Sequence, residues 1–236
     1  MITRCFAIFL GLVALTACEE VPTAAAPQVE APRTQIAPGT VNEIKRQFTA
    51  VQRRVEPVAE QECNRRTTQV NCDFKVVINE DPNQPSNAYQ TLDANNRPVI
   101  IFNIALLRET SNADEVAFIM GHEAAHHIES HIEQSQQHII AGAILAAGIA
   151  ALAGGDASAV EAASDLGARV GSRTYSKEFE LEADALGTVI TKLAGYDPLR
   201  GAQFFNRIPD PGDRFLGSHP PNAERLATVR RVASQL

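Results

Sequence analysis

The 236-residue sequence is poor in several things whose scarcity narrows what it can do. Basic clusters are missing: 21 Lys and Arg stand against 28 Asp and Glu, a net charge of −7, which argues against nucleic-acid binding. The several long apolar spans of an embedded membrane enzyme or pore are missing as well. No internal repeat is evident. Cysteine is scarce, and of the 4 present, Cys5 and Cys18 lie near the N-terminus, so only Cys63 and Cys72 fall within the folded part.

The N-terminus reads as an export signal. Met1 to Arg4 is short and positive, and Cys5 to Leu15 is apolar but too short to span a bilayer. A small-residue stretch follows, so residues 1–17 are expected to be a signal peptide. Leu15-Thr16-Ala17-Cys18 resembles a bacterial lipobox, which makes Cys18 the lipidated first residue of the mature chain. Several acyl chains at one terminus are enough for stable membrane attachment. Glu19 stands where an aspartate would resemble an inner-membrane retention signal, so the periplasmic leaflet of the outer membrane is the expected site. Residues 18–41 then form a tether, with Pro22, Pro27, Pro32 and Pro38 amid Ala, Thr and Gln. In an oxidising compartment Cys63 and Cys72 are a candidate disulfide, with metal ligation by the pair as the rival.

Residues 42–236 are long enough for one domain with a good core. Val41, Ile44, Phe48, Val51, Val55 and Val58 recur at spacings of three and four, which predicts an amphipathic helix disturbed near Pro57. Strand-like runs follow at Phe74 to Asn79, Ala88 to Leu92 and Pro98 to Phe102, the last two joined as a hairpin by Asp93-Ala94-Asn95-Asn96. The expected class is α+β: a mainly helical single domain with a small sheet beside the active-site helix. Ile139 to Gly155 is 17 uncharged residues, short for a bilayer span, and is expected to be a small-residue helix packed closely on its neighbours or lying over the cleft rather than a membrane-dipping hairpin.

The chemistry concentrates in His122-Glu123-Ala124-Ala125-His126, a complete H-E-x-x-H motif. On a helix its two histidines lie about 40° apart on one face, so both imidazoles reach one ion while Glu123 stands beside them as a base. Val116, Ile119 and Met120 mark the preceding turns as partly buried, and Asn112 with Glu115 forms a capping-box pattern that fixes the helix start. Two histidines and a glutamate in a packed helix need partners, and a metal supplies them. His127 and His131 point roughly 140° and 180° away from His122 on a straight helix, which suggests a surface role or one supporting the ligands. A catalytic zinc takes three protein ligands, so a third lies downstream. Glu180 and Asp184 share a face of the acidic segment Tyr175 to Gly187, while Glu178 and Glu182 suit a solvated face; spacing alone does not choose among the three glutamates.

The motif, the run Glu180-Leu181-Glu182-Ala183-Asp184-Ala185-Leu186-Gly187, then Gly195-Tyr196-Asp197-Pro198 and Ser218-His219-Pro220-Pro221-Asn222-Ala223-Glu224-Arg225, together resemble the HtpX and CaaX-prenyl-protease family of gluzincin metallopeptidases. The resemblance spans roughly residues 42 to 231 and has one departure, Ser176-Lys177 where relatives often carry Ser-Arg. It implies one zinc ion held by His122, His126 and Glu180, Glu123 as general base, and Asp184 orienting a zinc-bound histidine. It implies that His219 lies near the metal, either as a fourth ligand that keeps the enzyme latent, the favoured role, or as a donor to the oxyanion. It further implies a sheet edge beside the cleft that holds a substrate backbone as an added strand. The expected function is a zinc metalloendopeptidase acting on misfolded or misassembled cell-envelope proteins, with envelope-protein assembly partners. The rival is an envelope lipoprotein chaperone or assembly factor with a structural zinc, for which Glu123 has no use.

Overall fold

The computed structural model describes residues 40–174, 176–210 and 220–236, so Cys18, the tether and His219 lie outside the described residues. Ile44, Phe48, Val51, Val55, Ala59 and Cys63 form one buried stripe along α1 (Val41–Arg66). The helix is unbroken across Pro57, because Pro57 and Arg53, whose carbonyl loses its hydrogen-bond donor, both face solvent. Cys63, at its end, is joined to Cys72 in a disulfide with Cα atoms 5.7 Å apart, closing the loop into the sheet.

The sheet holds β1 (Lys75–Asn79), β2 (Ala88–Leu92) and β3 (Pro98–Asn103) in the order β1-β3-β2. β3, mostly buried, pairs parallel with β1 and antiparallel with β2. The β2–β3 turn is tied by the Asp93 carboxylate, which accepts from the amides of Asn95 and Arg97, and Asn96 takes the left-handed conformation at φ +57°. Among the described residues β2 pairs only with β3 and so forms an edge.

Asn103 caps α2 (Ile104–Glu109) by accepting from the Leu106 amide, and Asn112 caps α3 (Ala113–Ile128) by accepting from Glu115 N at 3.1 Å. Glu115 answers by accepting from Ser111 N at 2.7 Å, and Arg207 neutralises it at 2.5 Å. α3 is buried almost throughout, between α1, the sheet and α6 (Ser176–Leu193). α4 (His131–Leu152) and α5 (Ala157–Thr174) form an antiparallel pair in which Gly142 faces Gly167 and His138 faces Gly171 so closely that a Cβ on any of these glycines would meet backbone. Ile139 to Gly155 is thus mostly a helix packed at glycine distance on α5, with Ile140, Ile144, Leu145, Ile149 and Leu152 exposed on its other faces. The helix begins well before the uncharged run, and its 22 residues are long and apolar enough to cross a bilayer. α7 (Pro198–Gly201), a 3-10 turn at Ala202–Asn206 and α8 (Asn222–Ala233) complete the domain.

Candidate metal centre

α3 carries His122, Glu123 and His126 into the wall of a cleft of about 1000 Å³ bordered by β2, the first turn of α4, α6 and Arg225 of α8. The two imidazoles approach at Nε2, 3.0 Å apart. Glu180 of α6 closes a triangle, with Oε2 3.6 Å from His122 Nε2 and Oε1 3.5 Å from His126 Nε2. Metal bonds of 2.0–2.1 Å at tetrahedral angles place ligand atoms about 3.3 Å apart, so this triangle accepts an ion with shifts of a few tenths of an ångström. Two imidazoles and one carboxylate also match the donor set of a catalytic metal site. Among Glu178, Glu180 and Glu182, only Glu180 reaches His122 and His126; Glu178 is exposed and the Glu182 side chain is 59% exposed.

The crossing of α3 and α6 sets this geometry. Gly121 and Gly187 meet where the helices cross, and a Cβ on Gly187 would lie 2.9 Å from His122 N. One turn from Glu180, Asp184 is fully buried with Oδ1 2.9 Å from His122 Nδ1. Arg225 donates to both Asp184 oxygens at 2.7 Å, while its planar head lies 4.0 Å over the Phe205 ring. Burial pushes the Asp184 carboxyl up, but the Arg225 and His122 interactions outweigh that and hold it below the ordinary aspartate range. For His126 burial pushes the pKa down, and the Glu180 hydrogen bond with the Glu123 and Glu180 charges more than reverses it.

His131 sits where a straight continuation of α3 does not put it. α3 ends at Ile128 and Ser130 takes φ +57°, so the chain reverses and His131 returns to meet His126 with their Nδ1 atoms 2.9 Å apart. His131 is buried, stacked on Phe179 at 4.5 Å, and its Nε2 lies 3.1 Å from Glu182 Oε2. Burial, with the nearby His126 charge, lowers its pKa to about 4. His127 is also buried rather than on the surface: its Nε2 donates to the Asn71 carbonyl at 2.8 Å and its ring meets Phe74 edge-on, fastening α3 beneath the sheet. Cys63 and Cys72, held in their disulfide, are not free to ligate. His219 and Cys18 lie outside the described residues.

The sequence pattern assigns no role to Arg225, and it places Glu182 on a solvated face, where its side chain is indeed 59% exposed, without showing that its carboxylate reaches His131. A signal for Arg225 exists: it shares a buried stripe with Leu226 and Val229, and a cation on such a stripe needs a buried anion. None existed for the contact between His131 and Glu182, which depends on the chain reversal at Ser130.

The model of peptidase family M48 matches residues 45–233. The chain is 26% identical over 159 residues to the beta-barrel assembly-enhancing protease of Escherichia coli strain K12, covering 58% of this chain and 31% of that protein. It is 27% identical over 159 residues to the protein of that name from Yersinia pestis, with the same coverage. It is 30% identical over 146 residues to a putative beta-barrel assembly-enhancing protease of Vibrio cholerae, covering 55% of this chain and 30% of the other. The chain thus matches about a third of the length of these relatives.

Proposed function

The chain belongs to peptidase family M48, and from that premise we propose that it is a zinc metalloendopeptidase acting on misfolded or misassembled proteins of the bacterial envelope. The observation that carries the reading is the His122, His126 and Glu180 triangle with Glu123 beside it in an open cleft. A purely structural zinc site is closed and needs no neighbouring base. Zinc, when bound, polarises a scissile carbonyl and acidifies water.

The chain's own groups do the rest. Glu123 takes a proton from the attacking water and returns it to the leaving amine. Asp184, held ionised by Arg225, fixes the His122 ring so that Nε2 faces the cleft. Ser86 to Gln90, on and beside the β2 edge, line the same cleft, where an extended substrate backbone pairs as a fourth strand. Unfolded or unpaired segments offer such a backbone, which suits damaged envelope proteins as substrates. Lipidation at Cys18 and the tether would hold the domain at the periplasmic face of the outer membrane, and His219 would serve as the latch. The relatives' names, beta-barrel assembly-enhancing protease, support a protease that acts in protein assembly.

Zinc content after dialysis tests the ligand set. Wild type should hold one zinc per chain, and Glu180→Ala should lose it because two protein ligands bind far more weakly. Loss in Glu178→Ala with retention in Glu180→Ala would contradict the assignment.

A further inference from the structure

Both histidines of the triangle present Nε2 to it, which leaves each Nδ1 pointing backwards. Behind His122 stands the carboxylate of Asp184. Behind His126 stands another imidazole, that of His131, with Glu182 beyond it. We propose that His131 is a positioning residue that fixes the orientation and tautomer of His126 as a metal ligand, with Glu182 fixing His131 in turn. The inference rests on the metal reading above.

The proton positions follow from the contacts. A coordinating Nε2 carries no proton, so the proton of a neutral His126 is on Nδ1. Two Nδ1 atoms 2.9 Å apart cannot both carry protons and still bond, so His131 Nδ1 accepts and its own proton sits on Nε2. That proton is donated to Glu182 Oε2 at 3.1 Å. Each donor and acceptor in the chain Glu182, His131, His126 is then used once. Stacking on Phe179 leaves the His131 ring little freedom to turn, with planes only 15° from parallel. Such partners behind a ligating histidine keep its lone pair aimed and raise its basicity. His131 is buried and Glu182 is largely exposed, so His131 carries most of the effect.

The test is the zinc dissociation constant, measured by chelator competition, together with the visible spectrum of the cobalt-substituted protein. His131→Phe keeps an aromatic ring on Phe179 but leaves His126 Nδ1 without an acceptor, and should weaken zinc about 10- to 100-fold and alter the cobalt bands. His131→Asn puts an amide oxygen close to where Nδ1 stands and should restore most of the affinity and the spectrum. Glu182→Ala should weaken zinc less than His131→Phe does. Unchanged affinity and spectrum in His131→Phe would overturn the proposal. Equal losses in His131→Phe and His131→Asn would also overturn it, by reducing His131 to a packing residue. A wild-type chain that binds no zinc would instead overturn the metal reading, and this inference with it.

Discussion

Replacing Gly187 by alanine places a methyl carbon 2.9 Å from His122 N, 3.0 Å from His122 Cα and 3.2 Å from the Gly121 carbonyl carbon. Comfortable carbon contacts lie at about 3.5–4.0 Å, so α3 and α6 must part by roughly half an ångström to one at their crossing. All three obstacles are backbone, so no side-chain rotation relieves them. Glu180 precedes Gly187 by seven residues, about two turns of the same stiff helix, so it moves with the crossing. The 3.5 and 3.6 Å sides of the ligand triangle would lengthen by a similar amount, while metal bonds tolerate only about 0.2 Å. Zinc affinity should fall about tenfold or more, roughly 1.4 kcal/mol. Overpacking costs about 1–3 kcal/mol. The better helix propensity of alanine returns about 1 kcal/mol, so the metal-free domain should lose only about 0–2 kcal/mol. Chelator competition and urea unfolding of the metal-free protein measure the two effects separately. Zinc affinity equal to wild type would refute the claim that this glycine crossing sets the site.

Gly148, exposed in α4 with nothing near its missing Cβ, gives the opposite expectation: Gly148→Ala should stabilise by about 0.5–1 kcal/mol in urea melts without touching zinc. Glu62 is buried, and although burial raises its pKa, Arg65 and Arg66 bring it below its ordinary 4.5; its contribution is therefore present at neutral pH and lost as the pH falls through the lower, folded value. Wild type should exceed Glu62→Gln in stability by roughly 1 kcal/mol at pH 7, the gap closing below pH 4.5, and a gap constant down to pH 3 would contradict this. Cys18→Ser should leave the membrane fraction for the soluble one, as measured by fractionation of cells; membrane retention would move the anchor elsewhere in the chain.

The legible parts were those governed by local periodicity. The α1 stripe, the β2–β3 hairpin with its Asp93 turn and the Asn112 cap of α3 depend on residues a few positions apart, and each pattern has few alternative readings. The α+β class follows from those same elements. The order β1-β3-β2 was not legible, since a parallel β1–β3 pair joins segments about twenty residues apart with β2 between them in the chain. At the site, the spacing of His122 and His126 determines their shared face, but the choice of Glu180 over Glu178 and Glu182 needed either the family resemblance or the structure. The glycine crossing at Gly121 and Gly187, which aims α6, leaves no periodic trace because glycine is silent in a hydrophobic pattern. A role supporting the ligands is among the expectations for His131, but its direction was not legible, because the straight-helix angle holds only if α3 continues past Ile128, and a single left-handed residue, Ser130, ends it.

The most direct test of the account is the cleavage rate of an unfolded protein by purified, zinc-loaded wild type and Glu123→Gln. The amide keeps the shape of Glu123 and, outside the ligand triangle, should leave the zinc in place while removing the proton acceptor. Wild type should cleave the protein, and the variant should be slower by about 100-fold or more at equal zinc content. Equal turnover by the two proteins would contradict it.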